Sequence, residues 1–177
     1  SRGLGDVYKR QVNILSPGAG VGGHCIAVDP WFIVHSAPNE SKLIRLAREV
    51  NDYKPKYLIE EIKKKISRHK QKISDLTIAT FGISFKPNID DLRESPALEI
   101  AKALNCLNTK KHFIVEPNIK RLPEELINKR TELSKIESAI SEGDILVFLV
   151  NHTDFERIKE EEIKNKLILD IAGIFDK

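Results

Sequence analysis

From Ile73 onward, short apolar runs alternate with stretches of helical periodicity, and this alternation narrows the possible folds more than any other feature. Thr77–Phe81, Phe113–Glu116, Ile145–Val150 and Leu167–Ile171 are rich in Ile, Val, Phe and Leu and read as strands. Helical patterns lie between them: Pro96–Leu107, around Pro123–Asn128, Ser134–Glu142 and Asp154–Lys164. Ser95 followed by Pro96 predicts a helix start. A hydroxyl there accepts from otherwise unpaired backbone N–H groups, and Pro tolerates the first helical position. Strands alternating with helices predict an α/β, doubly wound, parallel Rossmann-like sheet over residues 73–177. Such sheets bind ligands at the carboxyl ends of their strands.

Residues 12–72 read differently. A loop-rich segment over 12–34 ends in the apolar stretch Trp31-Phe32-Ile33-Val34, with Pro30 expected to interrupt any regular element. From about Asn39 to Ser67 the pattern turns helical. Leu43, Leu46, Ala47 and Val50 repeat at three- and four-residue intervals, and Tyr57, Leu58, Ile62 and Ile66 resume the stripe. Pro55 is expected to kink this stretch or start a second helix, with Asp52 as a candidate cap. So much apolar surface on one long helix predicts a homodimer built through residues 39–67.

At 177 residues, 41% hydrophobic and 31% charged, the composition is that of an ordinary globular protein. No apolar run approaches a membrane span, so no membrane partner is expected. The net charge of +3 is too small to imply nucleic acid, and Lys63-Lys64-Lys65 reads as a solvated helix face. Two distant cysteines, in no metal-ligand spacing, predict no metal and a reducing, cytoplasmic setting. The chain has no methionine, so it is expected to be part of a longer protein. Residues 1–11 share no pattern with the segment over 12–34, look like a translated sequencing adapter, and are set aside as a non-native scar.

Chemistry concentrates in Gly22-Gly23-His24-Cys25-Ile26-Ala27-Val28-Asp29-Pro30. A thiol is a strong nucleophile once its thiolate is stabilised, and two glycines allow close approach of backbone to ligand. Asp29 stands four residues beyond the thiol. An isolated Cys is also commonly a small buried hydrophobe, and Cys106, on the helix after Pro96, is read as core. His24 is adjacent to the thiol in sequence and is read as structural or ligand-orienting. Gly18-Ala19-Gly20-Val21-Gly22-Gly23 fits G-x-G-x-x-G, but lacks the preceding strand and the distant acidic residue of a dinucleotide site. It reads instead as a flexible loop around a phosphate or sugar.

The first strand runs into Phe85-Lys86-Pro87-Asn88-Ile89-Asp90-Asp91-Leu92-Arg93-Glu94-Ser95-Pro96, at the end of the sheet where a ligand belongs. Lys86 offers a point charge for a phosphate and Arg93 a planar fork. The alternative is that Asp90, Asp91, Arg93 and Glu94 merely pair with one another on the surface.

Together, Gly20–Pro30 and Phe81–Pro96 resemble the UDP-glucose/GDP-mannose dehydrogenases, which oxidise the C6 alcohol of a nucleotide sugar to a carboxylate with NAD. His24–Val34 and Leu43–Asp52 are most similar to bacterial members acting on UDP-N-acetyl-D-mannosamine. The resemblance covers about residue 12 to the C-terminus, without the nicotinamide-binding domain and most of the central one. It implies that Cys25 captures the aldehyde as a thiohemiacetal and then carries a thioester, with Asp29 assisting water and proton transfer. It implies that Ser16, Pro17, Gly18, Ala19, Gly20, Val21 and Gly22 form a loop over the sugar nucleotide, while Phe85 and Lys86 meet the uridine diphosphate. Arg93 resembles a position reaching NAD, and the long helix resembles a dimer-forming connector. Ala172 departs from the pattern, since many relatives carry Arg or Lys there. Two other readings remain: a UDP-sugar-binding and dimerisation module without turnover, and a Cys hydrolase pairing Cys25 with a histidine such as His152.

Overall fold

The computed structural model describes residues 18–175. Residues 1–11, Ser16 and Pro17 lie outside the described residues. Among the described residues two helices come first, α1 (Asp29–Ser36) and α2 (Lys42–Ile66). A sheet domain comes next, with β1 (Thr77–Phe81), α3 (Pro96–Asn105), β2 (Lys111–Val115), β3 (Thr131–Leu133), α4 (Ile136–Glu142), β4 (Ile145–Phe148), α5 (Glu160–Ile163) and β5 (Leu167–Asp170). The five strands are all parallel in the order β3-β2-β1-β4-β5. The chain therefore winds outward from β1 in both directions, as the alternation predicts, and the α/β class holds.

Alternation along the strands feeds three apolar clusters, the smallest of which joins Ile114 of β2 to Leu98 and Ala101 of α3. Ile78, Ile145, Val147 and Leu169 face the layer containing Leu58, Ile59, Ile62 and Ile66 of α2 and Ala97, Ile100 and Leu104 of α3. Ala79, Phe81, Phe113, Leu146 and Phe148 face the other layer, with Ile136, Ala139 and Ile140 of α4 and Phe155. There the Phe81 and Phe148 rings stack at 4.4 Å, and Phe155 meets Phe81 edge-on at 5.5 Å. A sheet covered on both faces favours strands that are largely apolar, and β1 is buried at all five positions, Thr77 and Thr80 included.

Several expectations are corrected. Pro30 does not end regular structure: it is the second residue of α1, where its missing N–H has no intrahelical partner to lose. Pro55 starts no second helix: it lies inside one continuous 25-residue helix and is buried. Asp52 pairs with Arg48 at 2.8 Å and caps nothing. The stripe on α2 divides: Leu58 and Ile62 are buried against the sheet, while Leu43, Leu46, Val50, Tyr53 and Tyr57 are exposed. The segment around Pro123–Asn128 makes only a short 3-10 turn, and Asp154–Lys164 splits into a 3-10 turn and α5. Cys106 is exposed at the end of α3, so it is not a core residue.

Candidate functional site

The exits of β1 and β4 form the point where the winding reverses, and the chemistry-bearing segments gather there. Gly82 leaves β1 with φ +82°, and a Cβ on it would lie 2.6 Å from Val150 Cβ. Only glycine lets the chain turn so tightly beside the β4 exit. The segment from Ile83 then runs over the strand ends to Ser95. Ser95 Oγ donates to Ile83 O at 2.8 Å and accepts from Leu98 N–H at 3.2 Å, so the cap expected before Pro96 is present and also ties this loop down.

Against that loop lies the glycine segment. A Cβ on Gly22 would stand 2.1 Å from Glu94 O and 2.8 Å from Pro96 Cδ. One on Gly23 (φ +88°) would meet the Phe85 ring at 2.8 Å. Gly23 N–H donates to Arg93 O at 3.3 Å. Two sequence motifs more than sixty residues apart thus meet backbone to backbone, and their glycines are what permit it. Gly18 and Gly20 precede this contact, Val21 is half-buried, and Ala19 is buried in the core shared with α2.

Cys25 is exposed, as are His24 and Asp29. The Asp29 and Val28 N–H groups donate to Cys25 O at 2.8 and 3.0 Å, so one tight turn carries the thiol residue to the first residue of α1. Phe85 is half-buried and Lys86 exposed, with its Nζ 5.7 Å from the Phe85 ring centroid. Arg93 grips Asp91, with Nε 2.9 and 3.0 Å from the two carboxylate oxygens and a terminal nitrogen 2.5 Å from one. That hydrogen bonding holds the Asp91 carboxyl at about 2, with a smaller push from His24. The pKa of Arg93 is raised, first by its hydrogen bond to Asp91. Of the charges over 90–94, Asp91 and Arg93 do pair with each other, on the surface.

Residues that sequence spacing missed hold this arrangement. The Asn51 side chain on α2 clasps the glycine loop, its Oδ1 accepting from Val21 N–H at 2.8 Å and its Nδ2 donating to Val21 O at 3.1 Å. Beneath the loop from β1, Glu116 and His152 meet at 3.0 Å, both fully buried. Burial would raise the Glu116 carboxyl, but the His152 ring, the Ile83 N–H and the Asn118 N–H outweigh it and hold it below the ordinary range. Buried and engaged in this way, His152 is not a partner for the exposed Cys25. A cleft of about 940 Å³ opens beside the loop contact, lined among others by Val21, Trp31, Arg48, Asn51, Arg93 and Glu99. Cys25, Asp29, Phe85 and Lys86 are not among the residues that line it. Ala172 packs against the core beyond β5, where Asp170 Oδ2 accepts from Phe175 N–H at 2.9 Å.

The family model for the UDP binding domain of UDP-glucose/GDP-mannose dehydrogenases matches residues 79–177, and that for their central domain matches residues 2–53. UDP-N-acetyl-D-mannosamine dehydrogenase of Escherichia coli K12 is 46% identical over 169 residues, covering 93% of this chain and 40% of that protein. NDP-N-acetyl-D-galactosaminuronic acid dehydrogenase of Ralstonia nicotianae is 48% identical over 165 residues, covering 93% of this chain and 38% of the relative. A solved UDP-D-ManNAc dehydrogenase of Pyrococcus horikoshii superposes with a TM-score of 0.71 at 24% identity, over 96% of this chain and 40% of that one, which bears on the fold alone. The chain thus spans about two fifths of the length of these relatives. With more than half of its residues matched by the UDP-binding-domain model, this chain belongs to the UDP-glucose/GDP-mannose dehydrogenase family.

Proposed function

We propose that this chain is the UDP-sugar-binding and thiol-bearing part of an enzyme that oxidises the C6 alcohol of a UDP-N-acetylhexosamine, UDP-N-acetyl-D-mannosamine first, to the uronate. The observation that carries it is the close contact of Gly22 and Gly23 with Phe85 and Glu94–Pro96, which sets the thiol loop beside the loop bearing Lys86 at the strand ends. Residues 73–177 form the nucleotide-sugar-binding unit, and residues 12–72 supply the Cys25 loop and a helical connector. Lys86 meets the diphosphate as a point charge, Phe85 packs against the nucleotide, and the backbone from Gly18 to Gly22 closes over it.

When bound, NAD is the hydride acceptor for both oxidations. Among the chain's site residues, only Arg93 would reach it, and its exposed guanidinium suits a pyrophosphate or ribose. The chain's own groups do the rest. The Cys25 thiolate attacks C6 of the aldehyde, forming a C–S bond and leaving an oxyanion that takes a proton. Loss of hydride from that carbon, with NAD as the acceptor when bound, and of the hydroxyl proton to solvent leaves a thioester, so the aldehyde is never released. Water then attacks the thioester carbonyl, with Asp29 receiving its proton. The C–S bond breaks, and carboxylate and thiol are regenerated.

The exposed face of Leu43, Leu46, Val50, Tyr53 and Tyr57 is the surface through which two copies pair, in a cytoplasmic homodimer. No described helix is long and apolar enough to cross a membrane. A binding and dimerisation module without turnover is the second reading, favoured by the open surface around Cys25. The test is the full reading frame containing this chain, assayed with UDP-N-acetyl-D-mannosamine and NAD. Wild type should form uronate and Cys25→Ser none. Uronate formation undiminished by Cys25→Ser would overturn the thiol's role.

A further inference from the structure

The loop from β1 is fastened by a device no sequence motif announces. Ile83 N–H donates to Glu116 Oε2 at 2.8 Å, and Ser84 N–H to the same oxygen at 3.2 Å. Four residues on, Asn88 N–H donates to His152 Nδ1 at 2.9 Å. A ring nitrogen that accepts from a backbone N–H carries no proton, so the proton is on Nε2, which lies 3.0 Å from Glu116 Oε2 and donates to it. His152 is therefore the neutral Nε2–H tautomer, bridging a carboxylate on the β2 side to an amide on the far side of the loop. Asn118 reinforces both partners, with Nδ2 3.2 Å from His152 Nδ1 and its N–H 3.3 Å from Glu116 Oε1. Ser84 Oγ donates to Lys86 O at 2.9 Å. The Asn88 side chain exchanges bonds of 2.9 and 3.0 Å with Thr153.

The fastened amides belong to residues 83, 84 and 88. The arc they bracket is Phe85-Lys86-Pro87, the part of the loop that faces outward. A buried pair of this kind is a poor device for stability alone, since apolar side chains of similar volume fill such space at lower cost. What it adds is a fixed shape for a polar loop that no strand pairing defines. We infer that Glu116 and His152 are positioning residues that hold the Phe85–Lys86 arc in the form that receives a nucleoside diphosphate. This rests on the reading that Lys86 meets the diphosphate.

Amide hydrogen exchange, imidazole nitrogen spectra and UDP calorimetry on the 177-residue chain test it together. Wild type should show slow exchange at Ile83, Ser84 and Asn88 and an unprotonated Nδ1 on His152. In His152→Phe, exchange at Asn88 should rise steeply and UDP affinity should fall roughly tenfold or more, while amides within the β-strands stay as slow as in wild type. His152→Gln, which keeps a donor for Glu116 and loses the ring acceptor, should loosen Asn88 but spare Ile83 and Ser84, and it serves if His152→Phe does not fold. Unchanged exchange at Asn88 in both variants, or a protonated Nδ1 in wild type, overturns the pinning whatever UDP does. Faster exchange with undiminished UDP affinity overturns the positioning role. A wild type whose three amides are slow but which binds no UDP overturns the nucleotide reading of Lys86 and the positioning role with it, leaving the pin as a structural contact.

Discussion

Replacing Gly22 with Ala tests the contact on which the site is built. The new Cβ would stand 2.1 Å from Glu94 O and 2.8 Å from Pro96 Cδ, distances that carbon never adopts, and the oxygen belongs to backbone that cannot swing aside. The two segments must separate by about 1 Å to restore ordinary contact. That movement breaks the Gly23 N–H bond to Arg93 O and slackens the two bonds between Asn51 and Val21. Overpacking and two or three weakened hydrogen bonds together amount to about 2–4 kcal/mol. Thermal melting should fall by roughly 5–15 °C if the strain is shared by the whole domain. If the loop instead detaches, melting holds and exchange at the Val21 and Gly23 amides accelerates. Gly18→Ala is the control, because a Cβ there meets nothing within 4 Å, and it should change neither quantity. Gly22→Ala matching both wild type and Gly18→Ala in melting and exchange would refute the packing of the two motifs.

Two further outcomes rest on particular side chains. Burial pulls the His112 pKa from 6.5 down to about 4, so the folded state resists a proton that the unfolded chain accepts. Stability is therefore full above about pH 6.5 and falls toward pH 4 by up to about 3 kcal/mol, a slope that denaturant melts should show reduced in His112→Phe and that would disprove the buried neutral ring if it were unchanged. Val50→Asp with Tyr53→Asp, both on the exposed face of α2, should convert a dimer to a folded monomer by light scattering. Leu58 is unsuitable for that test because it is buried in the chain's own core, and a wild type already monomeric at high micromolar concentration would refute the interface.

How much of the molecule is legible in its sequence depends on how local each signal is. β1 is legible to its observed bounds because a strand covered on both faces makes a short, largely apolar β-branched and aromatic run, here Ile78, Ala79 and Phe81 with Thr77 and Thr80. The Ser95-Pro96 start is legible because capping is settled by adjacent residues. β3 escapes sequence reading: three residues at the sheet edge, with exposed Glu132 in the middle, make no apolar run. α1 is hidden by Pro30, which reads as a breaker although the first turn of a helix tolerates it. Helical periodicity finds the stripe on α2 but not what each part touches, so Leu58 and Val50 look alike. Cys106 is misplaced by sequence because a thiol's apolar character does not say which face of a helix end it occupies. At the site, the glycines and Lys86 are conspicuous. Asn51, Glu116 and His152 are not, since their partners lie between 30 and 68 residues away and no spacing rule links them.

The central claim is that the loop carrying Lys86 receives the diphosphate of a UDP-sugar. Calorimetric titration of the chain with UDP, wild type against Lys86→Ala, measures this directly. Saturable binding to wild type is expected, weakened by about 1–3 kcal/mol in the variant for the loss of one charge-assisted contact. Equal affinities for the two proteins, or no binding to wild type, would contradict it.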